Sequence, residues 1–327
     1  MPDGSVQLER KTYPQAWRSY SAAQTSEKEH FLNLLKELCD GIEVAPQTRG
    51  RPRIPLNDAL FSVCYKIYSG KSARRFIGEL AEVQQRGFIA KVPHFNSMFN
   101  YLDSDLVTEI LTRMIEKTSL PLKAVEVDFA ADSSGFTSNQ YSRWYDHKYG
   151  GKHQHFWTKV HMMIGVETHI VTAVEIHDKD ASDTKQLPAL VATTAKNFSI
   201  SEVSADKGYS STNNHQVIAF HGATPYIAFR SIHSGKGGRN GKPKCDIWQK
   251  MYHQFACHSD EFYAHYHKRS NVESAFSMIK RKFGSSTRGK SVRSMKNECL
   301  AKIVCHNICV LIQEMHELGI DVSFGRR

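Results

Sequence analysis

Long apolar runs are missing from this 327-residue chain. The best of them, Ile308-Cys309-Val310-Leu311-Ile312, falls far short of the ~18 residues a membrane span needs, so no membrane partner or span is expected. The first twenty residues hold no apolar stretch, which speaks against a secretory leader and for a cytoplasmic protein. Cysteine is scarce and odd in number: Cys39, Cys64, Cys245, Cys257, Cys299, Cys305 and Cys309 read as reduced thiols rather than a disulfide framework. Neither Cys245 nor Cys257-His258 has the close partner of a zinc knuckle, and Cys305-His306-x-x-Cys309 has the wrong order for haem attachment. No structural metal is expected, and no internal repeat is present. Disorder as the main state is excluded by a hydrophobic content of 40%, and the length allows roughly two domains.

Acids are the minority charge, with 33 Asp+Glu against 43 Lys+Arg and a net charge of +10. The deficit is local. Residues 1–120 hold 16 basic and 14 acidic side chains, residues 121–230 hold 10 and 11, and residues 231–327 hold 17 and 8. A basic excess confined to one segment is the footprint of a polyanion binder, because each neutralised phosphate releases condensed counterions. A solvated basic face kept for solubility is the alternative.

From Glu27 to Thr118 the apolar spacing is helical, with stripes through Phe31, Leu34, Leu35, Leu38, then Leu60, Phe61, Cys64, Ile67, and stops at Gly41, Gly70 and Gly87. Ser72 and Ser104 stand where helix caps belong. An all-α unit occupying 1–120 is expected, serving either DNA binding, through a helix-turn-helix, or dimerisation. Just upstream of the second helix, Arg49-Gly50-Arg51-Pro52-Arg53 resembles an AT-hook core that fits a narrow minor groove, although Pro55 and Asn57 equally suit a segment leading into a helix.

The period changes near residue 121. Val125, Val127 and Phe129 alternate with Glu126, Asp128 and Ala130, a strand pattern ending at Asp132-Ser133-Ser134-Gly135. Strands over 156–165, 169–176, 202–206 and 223–229, with helices between the later ones, predict an α/β fold with a mixed five-stranded sheet flanked by helices over 121–327. A Gly-rich basic loop, HSGKGGRNGKPK at 233–244, interrupts it within 231–262. Asp132 and Asp206 fall at strand ends, where open α/β sheets gather functional groups.

The spacing predicts one helix over Tyr263–Phe283. At ~100° per residue, Tyr266, Arg269, Glu273 and Lys280 share an arc beside an apolar stripe of Val272, Phe276, Ile279 and Phe283. Glu273 thus joins Asp132 and Asp206 as a third carboxylate. Converging acids need cations between them, and oxygen donors of this kind suit Mg²⁺. Two such ions favour in-line phosphoryl transfer, the chemistry of nucleases and strand-transfer enzymes.

The motif Tyr-x2-Arg-x3-Glu-x6-Lys, complete at Tyr266, Arg269, Glu273 and Lys280, resembles the signature of DDE transposases of prokaryotic insertion sequences. The strings ADSSGF (131–136) and SADKGYSS (204–211) are similar to that family's blocks around its two aspartates. The resemblance covers about 121–318. It implies an RNase H-like core, with Asp132, Asp206 and Glu273 holding two Mg²⁺ ions (Mn²⁺ as a substitute). Tyr266, Arg269 and Lys280 would touch the transposon-end backbone, with Arg281, Lys282, Arg49, Arg51 and Arg53 as further DNA contacts. It implies cleavage of 3′ strands at inverted ends, transfer into target DNA and a homodimer in the synapse. Members with a large insertion before the glutamate use it to hold a flipped base and form a hairpin; here the Gly/Lys loop and Trp248 are the only candidates for that task.

Each assignment has a rival. Asp128 shares a strand face with Asp132, Asp206 suits a cap for the turn at Gly208, Lys207 reads as a solvated neighbour, and Asp180 and Asp183 suit helix caps. Trp157, Lys159 and His161 share a strand face and read as core. His153-Gln154-His155 has a polar residue where the metal motif of single-strand transposases is apolar. A noncatalytic, domesticated DNA binder and an RNase H-like nuclease without strand transfer are the competing functions.

Overall fold

The structure is a computed structural model that describes residues 16–43, 53–138, 148, 157–230 and 245–325. Arg49, Arg51, His153-Gln154-His155 and the loop 233–244 lie outside the described residues.

Five helices open the chain: α1 (Trp17–Asp40), α2 (Leu56–Ser69), α3 (Ala73–Gln85), α4 (Phe95–Tyr101) and α5 (Asp105–Ser119). The stripes expected from spacing are the faces they bury, including Phe31, Leu34, Leu35 and Leu38 on α1. Gly70 ends α2 in the left-handed region at φ 66°, where a side chain would strain the backbone. Ser72 and Ser104 occupy the cap positions of α3 and α5, but neither side chain makes a capping hydrogen bond.

The sheet follows, built from β1 (Asp128–Thr137), β2 (Trp157–Gly165), β3 (Val171–Asp178), β4 (Glu202–Ala205) and β5 (Thr224–Ile227) in the order β3-β2-β1-β4-β5. The first three strands form an antiparallel meander, while β4 and β5 add in parallel beyond β1. Parallel additions need crossovers, supplied here by α6 (Asp183–Ala195) and α7 (Thr212–Phe220). Four helices close the chain: α8 (Asp246–Cys257), α9 (Ser259–Tyr266), α10 (Ser270–Phe283) and α11 (Val292–Glu317).

Both faces of β1 are covered. Phe129 and Ala131 enter a core with Leu187, Leu190 and Val191 of α6, whereas Ala130 and Phe136 enter a larger one. That larger core joins α1, α2 and α5 to Val160, Met162 and Ile164 of β2 and to the buried α11. The helical amino-terminal layer therefore packs on one face of the sheet through shared apolar side chains. A sheet covered on both faces reads as near-continuous hydrophobic strands, as β2 does.

Several elements differ from the expected ones: α1 starts at Trp17 rather than near Glu27, and α8 and the start of α9 stand within 231–262, where a loop was expected. Strand β1 starts at Asp128, and the alternation before it is inverted: Glu126 is fully buried, while Val127 is 45% exposed. The Glu126 carboxylate accepts hydrogen bonds from the amides of Glu167 and Thr168 and from the Thr168 hydroxyl, which ties down the β2–β3 turn. The helix expected over Tyr263–Phe283 is interrupted by a 3-10 turn at His267–Arg269. At ~120° rather than ~100° per residue, three such residues rotate what precedes them by roughly 60° relative to a continuous helix. The turn coincides with Lys268, whose ammonium reaches both Asp128 and Glu202.

Candidate active site

Parallel pairing between β1 and β4 ends at Ala131 opposite Ala205, so the next residue on each strand is an aspartate: Asp132 and Asp206. Asp206 stands one residue past the end of β4, at the start of the turn that follows. Asp132 is not a strand end, because β1 continues against β2 as far as Thr137. It is the point where the two strands part, and the gap so opened places both carboxylates beside each other.

The Asp132 carboxylate accepts from the Ser133 amide at 2.7 Å and from Arg269 Nη1 at 3.0 Å. The same Nη1 donates to Glu273 Oε1 at 2.7 Å. One guanidinium nitrogen thus stands between a carboxylate of β1 and one of α10. Burial raises the Asp132 pKa from its ordinary value; Asp206 and Glu273 push it the same way, opposed by the Ser133 amide and by Arg269. Asp206 accepts from the Gly208 amide at 3.2 Å, so it does cap the turn, and the Tyr266 hydroxyl lies at 3.5 Å, the long end of a hydrogen bond. Asp132 and Glu273 therefore meet through Arg269 of the 3-10 turn, and Asp206 reaches the same segment through Tyr266, the residue before that turn.

Lys280, nearly three turns along α10 from Arg269, donates to Ser134 Oγ at 2.6 Å and lies over the Phe136 ring. Asp132, Ser134, Glu273, Lys280, Arg281 and Ser285 line an open cleft of about 580 Å³. Carboxylates and cations lining one cleft suit a phosphodiester held near its reacting bond. Lys282 is directed elsewhere, pairing with Glu27 of α1 over the Tyr68 ring. Arg53 is exposed before α2 and is not among the residues of this cleft.

The rivals are also placed. Asp128 pairs with Lys268 at 2.7 Å, away from Asp132's partners. Lys207 and Asp180 are exposed. Asp183 is the first residue of α6 and not its cap, a position taken by Ser182; its carboxylate meets Lys159 Nζ at 2.6 Å and Ser133 Oγ at 3.1 Å. Thr184 adds a hydrogen bond to the Gly208 carbonyl, so the start of α6 is fastened to the residue after Asp132 and to the turn after Asp206. The spacing of the sequence gave no sign of this Lys159–Asp183 pair. His161 is core, as expected, but Trp157 is 45% exposed. Trp248 is 1% exposed, locked among Phe229, Met251 and Phe262, and so is unavailable to hold a base. All seven cysteines are free thiols; Cys305 and His306 are buried in α11.

Among the described residues, no group of three or more His, Cys, Asp and Glu side chains lies close enough to hold a metal ion. The donor set of hard carboxylate oxygens nonetheless suits a divalent cation, and Arg269 Nη1 holds the place of positive charge between two of the three. No described helix is long and apolar enough to cross a membrane.

No curated protein matches the chain. The profile of the family described as Transposase DDE domain matches residues 123–308, more than half of the chain and a span that takes in β1, the parting of β1 from β4, and the whole of α10. On that match, the chain belongs to the DDE-domain transposase family.

Proposed function

We propose that this transposase cuts the 3′ strands at the inverted ends of a prokaryotic insertion sequence and joins them to target DNA. The observation that carries the reading is the meeting of Asp132, Asp206 and Glu273 beside Arg269, Tyr266 and Lys280. The strand order, with an antiparallel meander extended by two parallel strands, supports an RNase H-like core. Asp132, Asp206 and Glu273 would hold two Mg²⁺ ions, for which Mn²⁺ would substitute. When bound, such ions supply Lewis acidity to in-line phosphoryl transfer.

The chain's own residues orient the DNA. Lys280 and Arg281 draw a phosphate into the cleft, and Tyr266 and Arg269 fix the strand beside the acids. In the first step a water oxygen attacks the phosphorus, and the bond to the 3′ oxygen breaks, leaving a 3′ hydroxyl. In the second, that hydroxyl attacks a target phosphodiester and the target's own 3′ oxygen departs. A homodimer pairing two ends, and action in the cytoplasm on nucleoid DNA, complete the reading.

The test incubates purified protein, Mg²⁺ and a labelled duplex carrying the element's own end. Wild type nicks and joins it, while Glu273→Gln binds it with nearly unchanged affinity and leaves it uncut. Equal nicking by the variant removes Glu273 from the site. A shift without cutting by wild type favours the noncatalytic binder, and nicks without joined products favour a nuclease.

A further inference from the structure

A second cleft, of about 870 Å³, opens between α4 and the segment joining α10 to α11. Its walls carry Asn96, Phe99 and Asn100 from α4, facing Arg288, Lys290 and Ser291. Asn96 and Asn100 are one helical turn apart and exposed, as are Arg288 and Lys290. The backbone of the basic segment is held firmly: the buried Glu298 carboxylate accepts from the amides of Arg288 and Gly289. Gly289 sits so near the first turn of α11 that a Cβ there would come within 2.7 Å of the Met295 amide nitrogen. The loop is thus a rigid mount for two cations rather than a solvated tail.

The charge around the cleft is unbalanced. Lys66 lies beside Phe99, and Arg288 and Lys302 act on Lys66 as like charges, with Glu298 opposing them. Lys302 is bonded to the carbonyls of Gly284 and Ser286. The acid of the lining, Asp103, accepts from Ser291 and lies 3.7 Å from Arg293, which also pairs with Asp105 beyond the cleft. That leaves Arg288 and Lys290 facing the opening. The two clefts lie along one stretch of chain: Ser285 lines the first, and Arg288, three residues later, lines the second, with the stretch tied to β1 by the Thr137–Ser286 bridge. Three extended residues span ~10 Å, the rise of about three base pairs.

We propose that this second cleft holds the transposon-end duplex about three base pairs from the scissile phosphate, with Arg288 and Lys290 on the backbone and Asn96 and Asn100 reading base edges. The inference rests on the transposase reading and assigns it a register. Paired asparagines on an exposed helical face match the bidentate donor and acceptor pattern of adenine, whereas Arg288 and Lys290 contribute salt-dependent, sequence-independent affinity.

The experiment compares wild type, Arg288→Ala/Lys290→Ala and Asn96→Ala/Asn100→Ala. Anisotropy on a labelled random-sequence duplex across a salt series measures phosphate contacts, and selection from a randomised duplex pool measures base reading. The cation variant should lower the slope of log affinity against log salt by about two, at ~0.9 per contact. The asparagine variant should keep that slope but lose one or two adjacent positions of the selected consensus. Wild-type slope and wild-type consensus in both variants overturn the proposal while the transposase reading stands. Failure of the wild type itself to bind duplex overturns both. Melting curves check folding; if the double cation variant melts early, Lys290→Ala alone, at an exposed position, should lower the slope by about one.

Discussion

Asp132 and Glu273 are joined through a single atom: Arg269 Nη1 lies 3.0 Å from one carboxylate and 2.7 Å from the other. Two acids from elements far apart in the chain are kept together by a cation that belongs to the same helical segment as one of them. Arg269→Met removes the bridge and leaves the carboxylates to repel. Its melting temperature in low salt should fall by an amount corresponding to about 1 kcal/mol, since both partners are partly solvated. Added Mg²⁺ should then raise the melting temperature more in the variant than in wild type. Identical responses of the two proteins would mean that the arginine and the metal do not share a place.

The Lys159–Asp183 pair ties β2 to the start of α6, with Ser133 as third partner. A double-mutant cycle on Lys159→Met and Asp183→Asn should give a coupling energy of about 1 kcal/mol in urea unfolding. Asp183→Asn should also slow nicking roughly tenfold or more while duplex affinity holds, because the tether beside Asp132 is loosened. Coupling near zero would make the contact incidental.

Gly165 packs on the buried Glu126 carboxyl group, and a Cβ there would lie 2.1 Å from the carboxyl carbon. Gly165→Ala should therefore cost about 2–3 kcal/mol, by overpacking and by breaking the hydrogen bonds that hold Thr168. Chemical denaturation measures it. Catalytic geometry is remote from this turn, so the loss should appear in stability rather than in the rate of the folded protein.

His306 is buried in α11, where its Nε2 lies 3.0 Å from the His169 carbonyl and burial pushes its pKa down to about 4. The unfolded chain takes up a proton at the ordinary value of 6.5, whereas the folded protein does not until about 4. Stability from this group is complete above pH 6.5 and declines as pH falls to about 4, at about 1.4 kcal/mol per pH unit. Denaturation profiles at stepped pH should show that slope reduced in His306→Gln.

Much of the molecule was legible in its residues. The first three amino-terminal helices follow from apolar spacing and a glycine stop, and each strand of the sheet from a period of two or an apolar run bounded by turn residues. The three acids were legible for a different reason: two sit where runs of buried strand residues meet polar ones, and the third stands in a motif of fixed spacing. Glu126 was misread because alternation alone cannot distinguish a solvent-facing carboxylate from one received by a glycine and two amides across the sheet. Trp248, a candidate for holding a base, and Lys282, expected at DNA, are held by contacts of the same kind. An aromatic or a cation is a contact looking for a partner, and the partners, Phe229 and Glu27, come from other elements.

Local chemistry along the chain determined the kinds of most helices and strands and their order, since period, caps and motif spacing act over a few residues. Tertiary structure alone decided that Arg269 bridges two of the acids, that Asp183 braces their strands, and that α4 faces a basic loop. Those outcomes depend on free energies of contact between segments brought together only by folding, and no short window of sequence contains them.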